Sequence, residues 1–328
     1  MAMSPFLYDH PAWRIDSPAK LDAIVKKHFS PASVRNVYPL ADHLHALSLV
    51  VLSNDEQLLL KSPPRPVTAL LRHEQSLLET EVRVIDLLQQ SGVPLIPAFI
   101  HYESNVDMSI SSCTIRPYVV GRTRQEIENE LSEQSRDLID RQLGDVAKRI
   151  GQHTSSSFGT FQQVEGGQGK RSWKEAFLSL TESILRDSED AFINLPYAVI
   201  RSQVGRLSPT LEEITVPRLV VVDLGSPSQV ILDPESKTIS GLVDFSFAIW
   251  GDVYIAEVFD NPSSAVLEGH GSALVKSRSW ETRQLLYGCY RSIQTIAIQY
   301  YRHKDTIPEN EARRQLTALL GKMAETEQ

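Results

Sequence analysis

The stretch RLVVVDLGSPSQVILDPESKTISGLVDFSFAIWGD, residues 218–252, constrains this chain more than any other. An apolar run ends in Asp223, a polar loop follows, and a second apolar run ends in Asp244. Between them, QVIL at 229–232 and TISGLV at 238–243 flank DPES at 233–236. Turn-forming residues between two β-type runs predict a hairpin. The open ends of a hairpin lie side by side, so Asp223 and Asp244 are expected close together. Two carboxylates so placed suit a general base beside a metal ligand; each alone is also ordinary turn or cap chemistry.

The sequence before this hairpin changes character once. Residues 47–52 and 57–61 are β-type runs joined by the turn SND, and 93–104 and 108–121 read as two more short strands. Between these pairs, Leu77, Leu78, Val82, Ile85 and Leu88 recur at helical spacing, with Gly92 as a stop. The expectation is a small α+β lobe of five strands around one helix, four of the strands being those placed above. From about residue 123 the pattern turns helical. Residues 124–153 predict one or two amphipathic helices, Ser172 is a candidate N-cap, and a last long helix starts near Ser279. The boundary falls in TIRPYVVGRT. It predicts a β-rich lobe over residues 1–116 and a helical lobe over residues 117–328 carrying the hairpin 218–252.

Composition removes several classes of function. The 328 residues carry 33 Lys and Arg against 41 Asp and Glu, a net charge of −8. An acidic chain with no basic run is a poor fit to nucleic acid or anionic membrane. No apolar run approaches the ~20 residues of a membrane span, and MAMSPFLYDHPAW lacks the pattern of a signal peptide. Cys113 and Cys289 stand in no metal or redox spacing, which fits a reduced cytoplasmic protein.

The motif VVVDLGSPSQVILD followed by GLVDFSFAIWGD resembles the aminoglycoside phosphotransferase family. That family's pattern is roughly H-x-D-[LF]-x-x-x-N, a hairpin, then [IV]-D-[FW]-x-x-A-x-x-G-D. Asp244, Phe245, Ala248, Gly251 and Asp252 fall in register. The resemblance extends to LLLKSPPR, to the helix containing Glu81, and to IRPYVVG as a hinge; SWKEAFLSLTESILRDSED and VLEGHG resemble segments of fungal members. It implies an α+β, two-lobed, protein-kinase-like fold and a small-molecule phosphotransferase using ATP and Mg²⁺, in secondary metabolism. By matched position, Asp223 is the catalytic carboxylate that accepts the proton of the substrate hydroxyl. Asp244 holds Mg²⁺, Lys61 reaches the α- and β-phosphates, and Glu81 holds Lys61. With Arg116 in the slot before the hinge, the Pro117 carbonyl and the Val119 N–H meet the base.

The chain departs from the family pattern at three places. Val221 replaces the histidine two residues before the catalytic Asp. The metal-binding Asn is missing, and Ser228 or Gln229 stands in its neighbourhood with a side-chain oxygen to offer nucleotide or metal. The loop PLADHLHALS contains no glycine for close approach to phosphates; its His43 and His45 read as surface-loop residues. Asp252 reads as a brace of the metal loop, and Trp250, Tyr254 and Phe259 as either an acceptor pocket or core. These losses keep two other functions open: ATP-independent acid–base chemistry on a natural product, and a non-catalytic pseudokinase.

Overall fold

The computed structural model describes residues 18–40, 44–64, 68–103, 113–271, 278–302 and 306–326. In chain order its elements are α1 (Pro18–Phe29), β1 (Val34–Pro39), β2 (Ala46–Leu52), β3 (Gln57–Ser62), α2 (Leu77–Gln90), β4 (His101–Glu103), β5 (Cys113–Pro117), β6 (Arg122–Thr123) and α3 (Arg124–Ile127). There follow α4 (Glu133–Ile150), β7 (Gly159–Thr160), α5 (Phe161–Glu165), α6 (Trp173–Asp190), α7 (Tyr197–Leu207), β8 (Arg218–Val221), β9 (Val230–Leu232), β10 (Ile239–Leu242), β11 (Ala248–Gly251), α8 (Ser264–His270), α9 (Arg278–Arg302) and α10 (Thr306–Glu325).

The chain divides into two compact units. The first comprises Met1–Thr68, Leu78–Ile127 and Val230–Ser246, and the second Ala69–Leu77, Glu128–Gln229 and Phe247–Gln328. This division differs from the one expected from sequence, which put 117–328 together. The reason is strand pairing: β6 pairs with β9 in the order β10-β9-β6, so the hairpin 230–246 joins the first unit.

In the first unit, five antiparallel strands run in the order β1-β2-β3-β5-β4. Alternation along each strand gives the sheet two different faces. Val50, Leu52, Leu58, Leu60, Cys113 and Ile115 cluster with Leu21, Ile24 and Val25 of α1 as one buried apolar face. The register Leu59↔Arg116 and Lys61↔Thr114 puts the other residues of β3 and β5 on the opposite face. That face carries two cations, Lys61 and Arg116. The helix α1 and the strand β1 were not among the sequence expectations. The expected strand 93–104 is confined to His101–Glu103.

Gly121 makes the passage from β5 to β6 possible. It adopts φ +151°, and a Cβ there would sit 2.4 Å from the Leu232 carbonyl oxygen. The hairpin turns where expected: the Asp233 carboxylate accepts the backbone N–H of Glu235 at 3.0 Å and of Ser236 at 2.6 Å.

The second unit is built from helices around the small sheet β7-β11-β8. Ser132 and Ser172 cap α4 and α6 by accepting the N–H of Ser135 and Glu175. Trp173, Phe177, Tyr287 and Tyr290 pack as a buried aromatic cluster between α6 and α9. Helix α4 crosses α8 at close range. A Cβ on Gly144 would lie 2.1 Å from the Val266 carbonyl oxygen, so only glycine fits.

Candidate active site

Four charged side chains meet in the first unit. Lys61 Nζ donates to Glu81 Oε2 at 2.7 Å, with the Lys61 side chain 8% and the Glu81 side chain 1% exposed. The same ammonium lies 3.5 Å from Asp244 Oδ1. Burial and the nearby Arg116 charge work against the Lys61 ammonium. The carboxylates of Asp244 and Glu81 outweigh them and raise its pKa. The Asp244 side chain is 40% exposed, and its residue sits at φ +68° in the left-handed region. Aspartate tolerates that conformation better than most side chains. Desolvation pushes its carboxyl up, but the Lys61 charge, the Ser246 hydrogen bonds and His45 hold it well below the usual carboxylate range. It is therefore ionised and accessible, as a ligand for a hard cation must be.

Arg116 completes this group. Its residue is 6% exposed, and burial lowers its pKa while Glu81 and Asp244 pull it back up. His45 is 6% exposed rather than a surface-loop residue, and its charge acts on Asp244. This corrects the reading of the glycine-free loop for His45: the histidine faces the charged cluster. His43 lies outside the described residues.

In the second unit Asp223 follows β8. The Gln229 amide nitrogen donates to Asp223 Oδ2, so two of the residues selected from sequence are in direct contact. The loop is held by backbone bonds: Ser226 N to Asp223 O at 3.0 Å and Gln229 N to Ser226 O at 2.9 Å. Two more bonds come from outside it, Glu257 N to Val222 O at 2.7 Å and Val258 N to Leu224 O at 2.8 Å. Val221, in contrast, is buried in β8 with a side chain that cannot hydrogen-bond. Ser228 is exposed, with its hydroxyl 3.4 Å from that of Ser226.

Pro117 ends β5, and its position is exposed. Val119 is half-buried in the segment after it. Asp252 is structural and bonds to α9: it accepts from Tyr287 Oη at 2.7 Å, Tyr287 Oη accepts from Trp173 Nε1 at 2.8 Å, and Arg283 is 3.2 Å away. Trp250 and Phe259 are core. Tyr254 instead lines a pocket of about 500 Å³ with Lys148, Arg218, Asp252 and His270, at the opposite end of β8 from Asp223. The sequence reading noted Glu257 only as one of three scattered acidic residues with Asp260 and Glu268, and gave it no role of its own. Burial pushes its carboxyl up to about 7; Arg291 opposes this and Asp260 adds to it. The signal was its place a few residues beyond the motif's last Asp.

Among the described residues no group of three or more His, Cys, Asp or Glu side chains forms a metal site. A Mg²⁺ held by one carboxylate plus substrate phosphates needs no such group. The exposed, ionised Asp244 fits that mode.

No protein-family model and no curated protein matches the chain. Solved structures do. A thermostable mutant of aminoglycoside phosphotransferase APH(4)-Ia, in ternary complex with AMP-PNP and hygromycin B, superposes with a TM-score of 0.65 at 15% identity, covering 94% of this chain and 100% of that one. Aminoglycoside 2'-phosphotransferase-IIIa in its GDP complex gives 0.61 at 15%, over 93% and 99% of the two chains. A candidate fructosamine-3-kinase from Thermobifida fusca gives 0.61 at 14%, again over 93% and 99%. The chain therefore has the α+β, two-lobed, protein-kinase-like fold of the aminoglycoside phosphotransferases. At these identities the likeness establishes the fold, and function rests on the site.

Proposed function

We propose that the protein is a small-molecule phosphotransferase. It moves the γ-phosphoryl group of a purine nucleoside triphosphate to a hydroxyl or amine of a metabolite. One observation carries this reading: a buried Lys61–Glu81 pair at 2.7 Å whose ammonium also lies 3.5 Å from the ionised Asp244. A lysine fixed by one carboxylate and aimed at a second, accessible one is the arrangement that positioning a phosphate beside a cation requires. Phosphotransferases with bound nucleotide among the similar folds support it.

In this reading Asp223 accepts the acceptor's proton as its oxygen bonds to the γ-phosphorus. The bond from that phosphorus to the bridging oxygen breaks, and the nucleoside diphosphate leaves. The Gln229 amide nitrogen keeps Asp223 oriented, and in this reading its Oε1 is the oxygen offered to the metal. Lys61 carries charge on the phosphates, and Glu81 holds Lys61. Asp244 would hold a Mg²⁺, which would supply neutralisation of the charge that develops on the phosphates. Pro117 and Val119 offer a backbone carbonyl and N–H to the base, and Ser228 lies at the loop rim. The setting proposed from the sequence resemblance is cytoplasmic secondary metabolism of a fungal type.

The buried Val221 and the loop without glycine favour a second reading, acid–base chemistry at Asp223 without nucleotide. Product formation with and without Mg·ATP separates the two. Turnover that needs the nucleotide supports phosphoryl transfer, and equal turnover in its absence overturns it.

A further inference from the structure

Arg116 is an anomaly that the Lys61–Glu81–Asp244 arrangement does not explain. It is a buried guanidinium, and its Nη1 is enclosed without a hydrogen-bond partner. Leaving a charged donor unsatisfied is among the costlier things a fold can do. Its place in the sheet is informative. Arg116 pairs with Leu59 and Lys61 pairs with Thr114, so Arg116 and Lys61 are diagonal neighbours on one face. Such neighbours lie roughly 7–8 Å apart, their Cβ atoms somewhat closer, within reach of two long side chains. Electrostatically, Arg116 interacts with Lys61, Glu81 and Asp244 alike.

Apart from His45, the charges of this cluster are two cations and two carboxylates, which cancel. Once a divalent cation occupies Asp244, that carboxylate's charge is taken up. Lys61 and Arg116 then face only Glu81, and the face becomes a seat for an anion. Guanidinium is the side chain best shaped to hold phosphate oxygens, through a planar fork of donors.

We infer that Arg116 is a second phosphate anchor of this site: its unpartnered Nη1 donates to a phosphate oxygen of the bound nucleotide, alongside Lys61. The inference rests on the phosphotransferase reading. It adds a residue that touches the polyphosphate rather than the base.

The test is calorimetric titration of wild type, Arg116→Met and Arg116→Lys with Mg·ADP and, separately, with adenosine. A charge-assisted hydrogen bond corresponds to roughly ten- to hundred-fold in affinity. Arg116→Met should weaken Mg·ADP by about that factor and leave adenosine unchanged, while Arg116→Lys, which keeps the charge but not the fork, should fall between. Unchanged Mg·ADP affinity in Arg116→Met overturns the inference, and so does an equal loss for adenosine, which would place Arg116 at the base. If Arg116→Met does not fold, Arg116→Lys decides: wild-type affinity for Mg·ADP rejects the fork. If wild type binds no Mg·ADP, the phosphotransferase reading fails on its own. Inorganic pyrophosphate is then the probe; a loss of its binding in Arg116→Met sustains the anchor, and no binding to wild type rejects it.

Discussion

In the proposed phosphotransferase reading, the residue that separates chemistry from scaffold is Asp223. General base catalysis contributes typically 10²–10⁴-fold, or roughly 3–5 kcal/mol of barrier. Asp223→Asn is expected to lower turnover by about that factor and to leave nucleotide affinity nearly unchanged, which steady-state kinetics beside a binding titration will show. Gln229→Ala removes the donor to Asp223 Oδ2 and should give a smaller fall in kcat with little change in KM. Glu257 makes a different prediction, because its carboxyl is pushed up to about 7 from an ordinary value near 4.5. Between those two values the folded state binds more protons than the unfolded state. Stability is therefore fully present below the unfolded value and declines as pH rises through 7. Unfolding in urea at pH 5 and pH 8 should show this decline, of roughly 1–3 kcal/mol from the size of the shift. Glu257→Gln should flatten it, and a wild-type stability that rises over this range contradicts the assignment.

At the scale of elements, the strands place the two cations of the proposed site. The β3–β5 register puts Lys61 and Arg116 on the face opposite the apolar cluster under α1. A slip of one residue would turn the slipped strand's side chains to the other face, sending its cation into that cluster. The passage from β5 to β6 is equally strict. Gly121→Ala brings a methyl to 2.4 Å from the Leu232 carbonyl in a backbone region that L side chains rarely adopt. A loss of at least about 1–3 kcal/mol follows from strain of that kind. Measured stability within a few tenths of wild type would show that the β6–β9 pairing yields easily. Helix α6 depends on a smaller feature, the Ser172 cap on Glu175. Ser172→Ala is expected to cost about 1 kcal/mol.

For the whole molecule, ligand binding and folding are linked. A nucleotide that binds only the native state at 100 times its Kd adds about 2.7 kcal/mol of stability. In a chain of this size that is a rise of several degrees in Tm. Mg·ADP is expected to produce this rise, and Asp244→Ala to abolish its metal-dependent component. No rise at millimolar Mg·ADP would favour the nucleotide-free reading. No helix among the described residues is long and apolar enough to cross a membrane, and both cysteines are free and buried.

The sequence by itself determined what is local. Turn residues in DPES, the helical spacing from Leu77 to Leu88, and Ser172 before α6 each act over a few residues, and all three appear where expected. The apolar runs ending in Asp were legible for the same reason. The periodicity of Leu21, Ile24 and Val25 in α1 was also there to be read, although α1 was not among the expectations. Other features arise only when distant segments meet. The contact of the Gln229 amide nitrogen with Asp223 is one of these, and it stands beside the oxygen that the sequence reading offered to nucleotide or metal. His45 read as an exposed loop histidine and is buried beside a charged cluster. Arg116 lies 55 residues from Lys61 in the chain, and only the antiparallel pairing of β3 with β5 makes them neighbours. Burial and charge coupling depend on what surrounds a side chain in space, and those surroundings are set by tertiary packing.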